Sequence, residues 1–222
     1  MSGRRYGQYC GLAKAMELVG ERWAMLVVRD LVLRPKTLPE LRDTLPGVPA
    51  ATLSTRLNQL EGGRVVQRRL DGARIRYELT AYGRELEGVL ATLGAWGARS
   101  LGARPAPDEI FTSDAAVLAL RSLFTPDGAT SAVLVVDMGA AVVTARVAPT
   151  SAQVAEGRAA DPDLTIAFRG SPVPVLTGAV TVARAQADGL LVAHGDLDLL
   201  ERFPRLFPVG SAPAASAPLL PA

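Results

Sequence analysis

An α+β fold in two unlike halves is predicted by three features of this 222-residue chain. Residues 37–80 read in the order helix, tight turn, helix and basic β-hairpin, the outline of a winged helix-turn-helix. Formal charge is segregated: residues 1–104 carry 17 basic and 10 acidic side chains, net +7, whereas residues 105–222 carry 7 and 12, net −5. Between them, Leu101-Gly102-Ala103-Arg104-Pro105-Ala106-Pro107 joins small residues with two prolines, as a linker does. The expected organisation is therefore 1–104, 105–210 and an Ala/Pro/Ser-rich disordered tail, 211–222.

The elements follow in order. Tyr9–Val19 reads as a helix stopped by Gly20, and Glu21–Leu33 as a second, with Trp23, Leu26, Val27 and Leu31 at helical spacing before Arg34-Pro35. Thr37-Leu38-Pro39-Glu40 announces a third: Thr37 caps, Glu40 reaches back to complete a capping box, and proline is tolerated in the first turn. That helix stops at Leu45-Pro46-Gly47. The next, Pro49–Glu61, turns Leu53, Leu57 and Leu60 inward. Its other side offers Ala51, Thr52, Ser54, Thr55, Asn58 and Gln59, with Arg56 at the flank. Short and amide-bearing side chains of this kind suit a helix that enters a DNA major groove. The hairpin is Val65–Leu70, a turn at Asp71-Gly72, then Arg74–Leu79. Arg68, Arg69, Arg74 and Arg76 project from it; on alternating strands, half are expected to meet DNA while the rest pair with Glu78 or solvent. Thr55 and Asn58 are the expected base readers, and Arg56 is expected to reach a phosphate. Thr80 then caps a helix, Ala81–Ser100, striped by Leu86, Val89, Leu90, Leu93 and Trp96. Packing within its own domain would explain such a stripe. A two-fold dimer seam, shared with the N-terminal helix, is the favoured reading.

Composition narrows the function further. Apolar residues make up 49% of the chain, enough for buried cores, and no run approaches a membrane span. The start, Met1-Ser2-Gly3-Arg4-Arg5, lacks an apolar signal core, so a cytoplasmic protein is expected. One cysteine and one histidine, Cys10 and His194, are too few soft ligands for a zinc site. No phosphate loop or nucleophile elbow is present, so no cofactor, metal or enzymatic activity is expected. Arginine outnumbers lysine 22 to 2, a skew read as GC-rich coding. The basic half holding the helix-turn-helix points to double-stranded DNA as partner.

The residues of the basic half also resemble a known family. Cys10, Ala15–Trp23, Leu26–Leu31, Leu38–Arg42, Leu45–Val48, Leu53–Leu57, Leu60-Glu61, Tyr77–Thr80, Gly83–Leu86 and Trp96-Gly97 run in register with the HxlR family of bacterial transcription regulators. The resemblance implies a dimeric winged-helix regulator that binds an inverted repeat. Ala50-Ala51 stand where relatives commonly have a basic residue, and the wing tip is short, which leaves the target sequence open. Some members of the family sense oxidants or electrophiles through an N-terminal cysteine. Cys10, with Arg4 and Arg5 nearby, thus has two readings: a redox thiol, or a small residue packed at a dimer seam, the second preferred.

In the acidic half, Ser113 is expected to cap a helix to Phe124. A hairpin, Ser131–Asp137 with Ala141–Ala148, precedes strands at Gln153–Arg158, Leu164–Arg169 and Leu190–His194. Short helices are expected from Ser171-Pro172 and over Val180–Ala187. A last helix, Asp196–Phe207, has Leu197, Leu200, Phe203, Leu206 and Phe207 on its apolar side. With Asp161–Ile166 and Gly189–Asp196, this arrangement looks like a sterol carrier protein-type lipid-binding domain. The resemblance implies an apolar tunnel lined by residues such as Phe168, Leu176, Leu199, Phe203 and Phe207. An ordinary packed core needs the same residues, and sequence leaves the two open. His194 is read as structural, not as a ligand contact. The resulting expectation is a homodimeric DNA-binding regulator modulated by a small apolar ligand. The alternatives are a purely structural second domain, a redox response through Cys10, or a lipid-handling protein.

Overall fold

The computed structural model describes residues 5–98, 100, 101, 106 and 109–210. The chain divides into two compact units between Leu90 and Ala91, inside a helix. Residues 102–105 and 107–108 of the expected linker, Arg4, and the expected tail 211–222 lie outside the described residues.

In the first unit, α1 (Gly11–Val19) starts two residues later than expected, because Cys10 is extended and occupies the N-cap. Gly20 closes it where a Cβ would come within 2.5 Å of the Met16 carbonyl oxygen. The second helix, α2 (Ala24–Leu33), also starts late. Trp23 takes a left-handed conformation, φ 78°, with the Arg22 guanidinium 5.2 Å over its ring, so Glu21 and Arg22 form a turn instead. Next come α3 (Leu38–Thr44) and α4 (Ala50–Gly62), joined at Leu45–Pro49, where Gly47 has φ +77°. The wing is β1 (Val66–Asp71) paired antiparallel with β2 (Arg74–Leu79). Asp71 pairs with Arg74, so the two-residue loop is Gly72-Ala73, one position beyond the expected Asp71-Gly72. Only Gly72 needs a positive φ, +60°, the pattern of a turn with glycine first. Lys36 adds a bridge on the far side of β2, exchanging both backbone hydrogen bonds with Tyr77 at 2.9 and 2.7 Å.

The expected single helix after the wing is two, α5 (Ala81–Arg84) and α6 (Leu86–Ala98). The first is pinned to the wing's base: Thr80 accepts from the Gly83 N–H and donates its hydroxyl to the Arg64 carbonyl. A Cβ at Gly83 would fall 2.0 Å from the Val65 carbonyl oxygen, so only glycine allows this approach. Val27, Val28, Leu31, Leu41, Leu53, Leu57, Leu60, Val65, Val66 and Leu79 form the core on which α2, α3, α4 and the wing converge.

Beyond the part of α6 that it includes, the second unit continues with α7 (Ser113–Leu123), capped by Thr112 and not by Ser113. Its strands are β3 (Ala132–Asp137), β4 (Val142–Ala148), β5 (Ser151–Glu156), β6 (Leu164–Phe168) and β7 (Leu191–Gly195), and its remaining helices are α8 (Val173–Leu176), α9 (Val182–Ala187) and α10 (Leu197–Leu206). The strand order is β5-β4-β3-β6-β7, antiparallel except for β3 with β6, so the expected hairpin is seen within a mixed sheet. One face is apolar throughout, from Leu134, Val136, Val143 and Ala145 to Leu164, Ile166 and Phe168. Both α7 and α10 pack on the sheet, α7 against β4 and β5 and α10 against β6 and β7. Leu197 is 59% exposed at the start of α10, and Leu199 takes its expected inward place.

Candidate DNA-binding surface

The capping box places α3. Thr37 Oγ1 accepts from the Glu40 N–H, and Glu40 accepts in return from the Thr37 N–H at 2.7 Å and from its hydroxyl. Arg34 and Arg76 pair with the same carboxylate at 3.1 and 3.3 Å. These partners, the Thr37 N–H foremost, hold the Glu40 carboxyl at about 2 against an ordinary 4.5. A depressed pKa of this kind stabilises the fold above pH 4.5, and the contribution is lost as pH falls toward about 2. Glu40→Gln should therefore lower the melting temperature at neutral pH, with the gap to the parent protein closing between pH 5 and pH 2. A gap independent of pH would show that the Glu40 charge is not what stabilises this helix.

Beneath α3 lies a polar cluster that sequence reading missed. Asp30 and Lys36 are both fully buried, with Lys36 Nζ 3.7 Å from Asp30 Oδ2. Thr44 Oγ1 donates to Asp30, and Arg29 pairs with its other oxygen at 2.8 Å. The cluster ties α2 to the C-terminal end of α3. One signal was available: a chain that uses arginine almost everywhere keeps lysine here.

On this base, α4 buries Leu53, Leu57 and Leu60 and exposes Ala51, Thr55, Asn58 and Gln59, with Thr52 and Ser54 half-buried. Thr55 donates its hydroxyl to the Ala51 carbonyl at 2.8 Å. Arg56 does not extend freely toward solvent. Its guanidinium donates to the Arg22 carbonyl and pairs with Glu21, both at 3.1 Å, and also donates to Gln59. It therefore clamps α4 to the turn before α2.

Register sorts the wing arginines. Arg69, Arg74 and Arg76 share one face with Gln67, Asp71 and Glu78; Arg68 lies on the other, with Leu70, Ile75 and Tyr77. Arg69 pairs with Glu78 at 3.6 Å and Arg76 with Asp71 at 2.7 Å, while Arg74 is exposed and makes no ion pair among the described residues. Arg68 reaches back to α4, where it pairs with Glu61 at 2.9 Å and donates to Asn58 at 2.6 Å.

On α6 no residue is buried: Val89, Leu93 and Trp96 are 53%, 49% and 68% exposed, and Leu86 and Leu90 are half-buried. Tyr9, Leu12 and Met16, in and before α1, are exposed too. Cys10 is exposed, and the N–H groups of Ala13 and Leu12 lower its thiol pKa. In the second unit Phe168, Leu176, Leu199, Phe203 and Phe207 are all buried. Phe203 lies 6.2 Å from Phe168 and 5.3 Å from Phe207, ring centre to ring centre. Of the five, Phe168 borders a depression of about 60 Å³ that Arg169, Pro174, Val175 and Leu190 also line. His194 is exposed on β7. Among the described residues no group of three or more His, Cys, Asp or Glu could hold a metal, and no helix is long and apolar enough to cross a membrane.

A capped helix, a tight turn, a second helix with a polar outer side and an arginine-bearing wing define a DNA-binding transcriptional regulator of the winged helix-turn-helix class. Residues 18–104 match the HxlR-like helix-turn-helix family. The HTH-type transcriptional regulator sll1512 of Synechocystis is 34% identical over 94 residues, covering 41% of this chain and 70% of that protein. The regulator YodB of Bacillus subtilis is 31% identical over 88 residues, 38% of this chain and 79% of its own length. A crystal structure of the HTH-type regulator ytcD is similar at 31% identity and a TM-score of 0.39, covering 41% of this chain and 96% of the other. The chain belongs to the HxlR-like helix-turn-helix family.

Proposed function

We propose that the protein is a cytoplasmic, non-enzymatic regulator that binds an inverted-repeat operator as a homodimer. In this reading 1–104 is the DNA-binding and dimerisation domain and 105–210 a sterol carrier protein-like domain for a small apolar ligand. The observation that carries operator binding is the juxtaposition of the polar side of α4 with the arginine-bearing wing, on the half of the chain with net charge +7. Thr55, Asn58 and Gln59 are assigned to base edges. Arg74, exposed and unpaired among the described residues, is assigned to phosphate, with Arg69 beside it on the same face. The exposed α6 stripe and the exposed side chains at α1 support the dimer seam.

Arg74→Ala should lower affinity for all duplexes alike and flatten the plot of log K against log salt by about one unit. Asn58→Ala should instead relax preference at one position per half-site, at a cost of about 1–3 kcal/mol. Salt titrations of both variants check this; an unchanged slope together with unchanged base preference would remove the assignment.

A second reading, a structural C-terminal domain, is favoured by the packing of Phe168, Phe203 and Phe207 on one another. Titration with fatty acids and sterols while operator binding is followed separates the two. A ligand-dependent change in affinity supports the sensor, and none supports the structural domain.

A further inference from the structure

We propose that the two amides of α4 face DNA as hydrogen-bond donors only, so that this helix reads acceptor edges, guanine N7 and O6 above all. The inference rests on the DNA-binding reading and adds the class of base edge recognised.

Asn58 and Gln59 are neighbours on the exposed side of α4, and each has its carbonyl oxygen engaged by a different arginine. Arg68 donates to Asn58 Oδ1 at 2.6 Å while Glu61 holds the same guanidinium at 2.9 Å. Arg56 donates to Gln59 Oε1 and is anchored by Glu21 and the Arg22 carbonyl, both at 3.1 Å. The orientation of each amide follows from chemistry: a guanidinium has donors and no acceptor, so the amide oxygen must face it and the NH₂ must face away. Each arginine thus has a carboxylate partner, Glu61 for Arg68 and Glu21 for Arg56, which holds it in place and offsets its charge.

Bidentate reading of adenine needs both ends of an amide, the oxygen for the N6 donor and the NH₂ for N7. Here one lone pair of each oxygen is taken, and the adjoining cation opposes the approach of another donor hydrogen. Guanine presents two adjacent acceptors in the major groove, which the free NH₂ groups match. Thr55 adds the complementary signal. Its hydroxyl hydrogen is committed to the Ala51 carbonyl, so it can only accept, as from cytosine N4, or offer its methyl to thymine. In this scheme Arg68 is a positioning residue, acting on the base through Asn58.

The test is selection of bound duplexes from a random library by the 222-residue chain and by Asn58→Ala, Arg68→Ala and Arg68→Lys. The parent protein is expected to select guanine at the position that Asn58→Ala makes degenerate. Replacing that guanine with 7-deazaguanine should weaken binding about tenfold. Arg68→Ala, which frees the Asn58 oxygen, should admit adenine there, lowering the guanine-over-adenine preference about tenfold; Arg68→Lys, still a donor, should keep it. Adenine at that position in the parent site would overturn the proposal. So would an Arg68→Ala protein that loses affinity uniformly with its base preference intact, since Arg68 would then be a phosphate contact. Enrichment of no sequence by the parent protein would remove the DNA-binding reading itself, and this inference with it.

Discussion

Leu93→Glu should turn the proposed dimer into a monomer and abolish tight operator binding without unfolding the chain. Leu93 is 49% exposed and α6 buries no residue, so a carboxylate there disturbs no intrachain core. In a two-fold seam the same substitution places two carboxylates among Val89, Leu90 and Trp96. Burying an unpaired charge costs several kcal/mol, and about 4 kcal/mol corresponds to a rise of nearly a thousandfold in the dimer dissociation constant. Sedimentation should show a monomer with unchanged circular dichroism. The operator effect follows because a single recognition helix reads only one half-site. A Leu93→Glu protein that sediments as a dimer would move the seam away from α6.

Asp30→Ala should destabilise the first unit by about 3–5 kcal/mol, the loss typical when one member of a buried ion pair is removed. Lys36, fully buried 3.7 Å from that carboxylate, would lose the Asp30 counter-ion. Thr44 and Arg29 would each lose a hydrogen bond as well. Urea unfolding measures the loss. Combining Asp30→Leu with Lys36→Met should recover much of it, because replacing both charges by apolar groups removes the desolvation penalty. A single variant as stable as the parent would show that the cluster contributes little to holding α2 against α3.

The sequence was most legible where the physics is local. Thr37 and Glu40 stand three residues apart, so the capping box could be read directly and is present. Strand alternation located both arms of the wing. Its turn lies one residue beyond Asp71-Gly72, because Asp-Gly and Gly-Ala both suit a two-residue loop and only pairing with the opposite strand decides between them. The intrachain partners of Arg56, Glu21 and the Arg22 carbonyl, lie 35 and 34 residues away, beyond the reach of local spacing. Asp30 and Lys36 are hidden by burial and not by separation in sequence. A charged side chain is assigned to solvent by default, and only the packing of α2, α3 and β2 reveals that these two are enclosed. The delayed start of α2 has a different origin. The apolar spacing around Trp23 satisfies a helix, but the residue adopts a left-handed backbone that periodicity cannot signal.

The mixed sheet of the second unit has a consequence for how the chain acquires its structure. Strands β3, β4 and β5 form a continuous meander whose pairings close over a few residues, so they can assemble as soon as they leave the ribosome. The other edge of β3 pairs in parallel with β6, Leu134 beside Leu164, thirty residues downstream. Until β6 is synthesised, the Val-rich segment Ala132–Asp137 is an unprotected edge carrying its full apolar face. Such an edge is a template for pairing with another nascent chain. The long closure also makes this half the slower to fold, after the helical N-terminal unit with its short-range contacts. Yield on expression should therefore depend on the rate of translation between codons 137 and 164, over which the β6 edge of β3 stays unpaired.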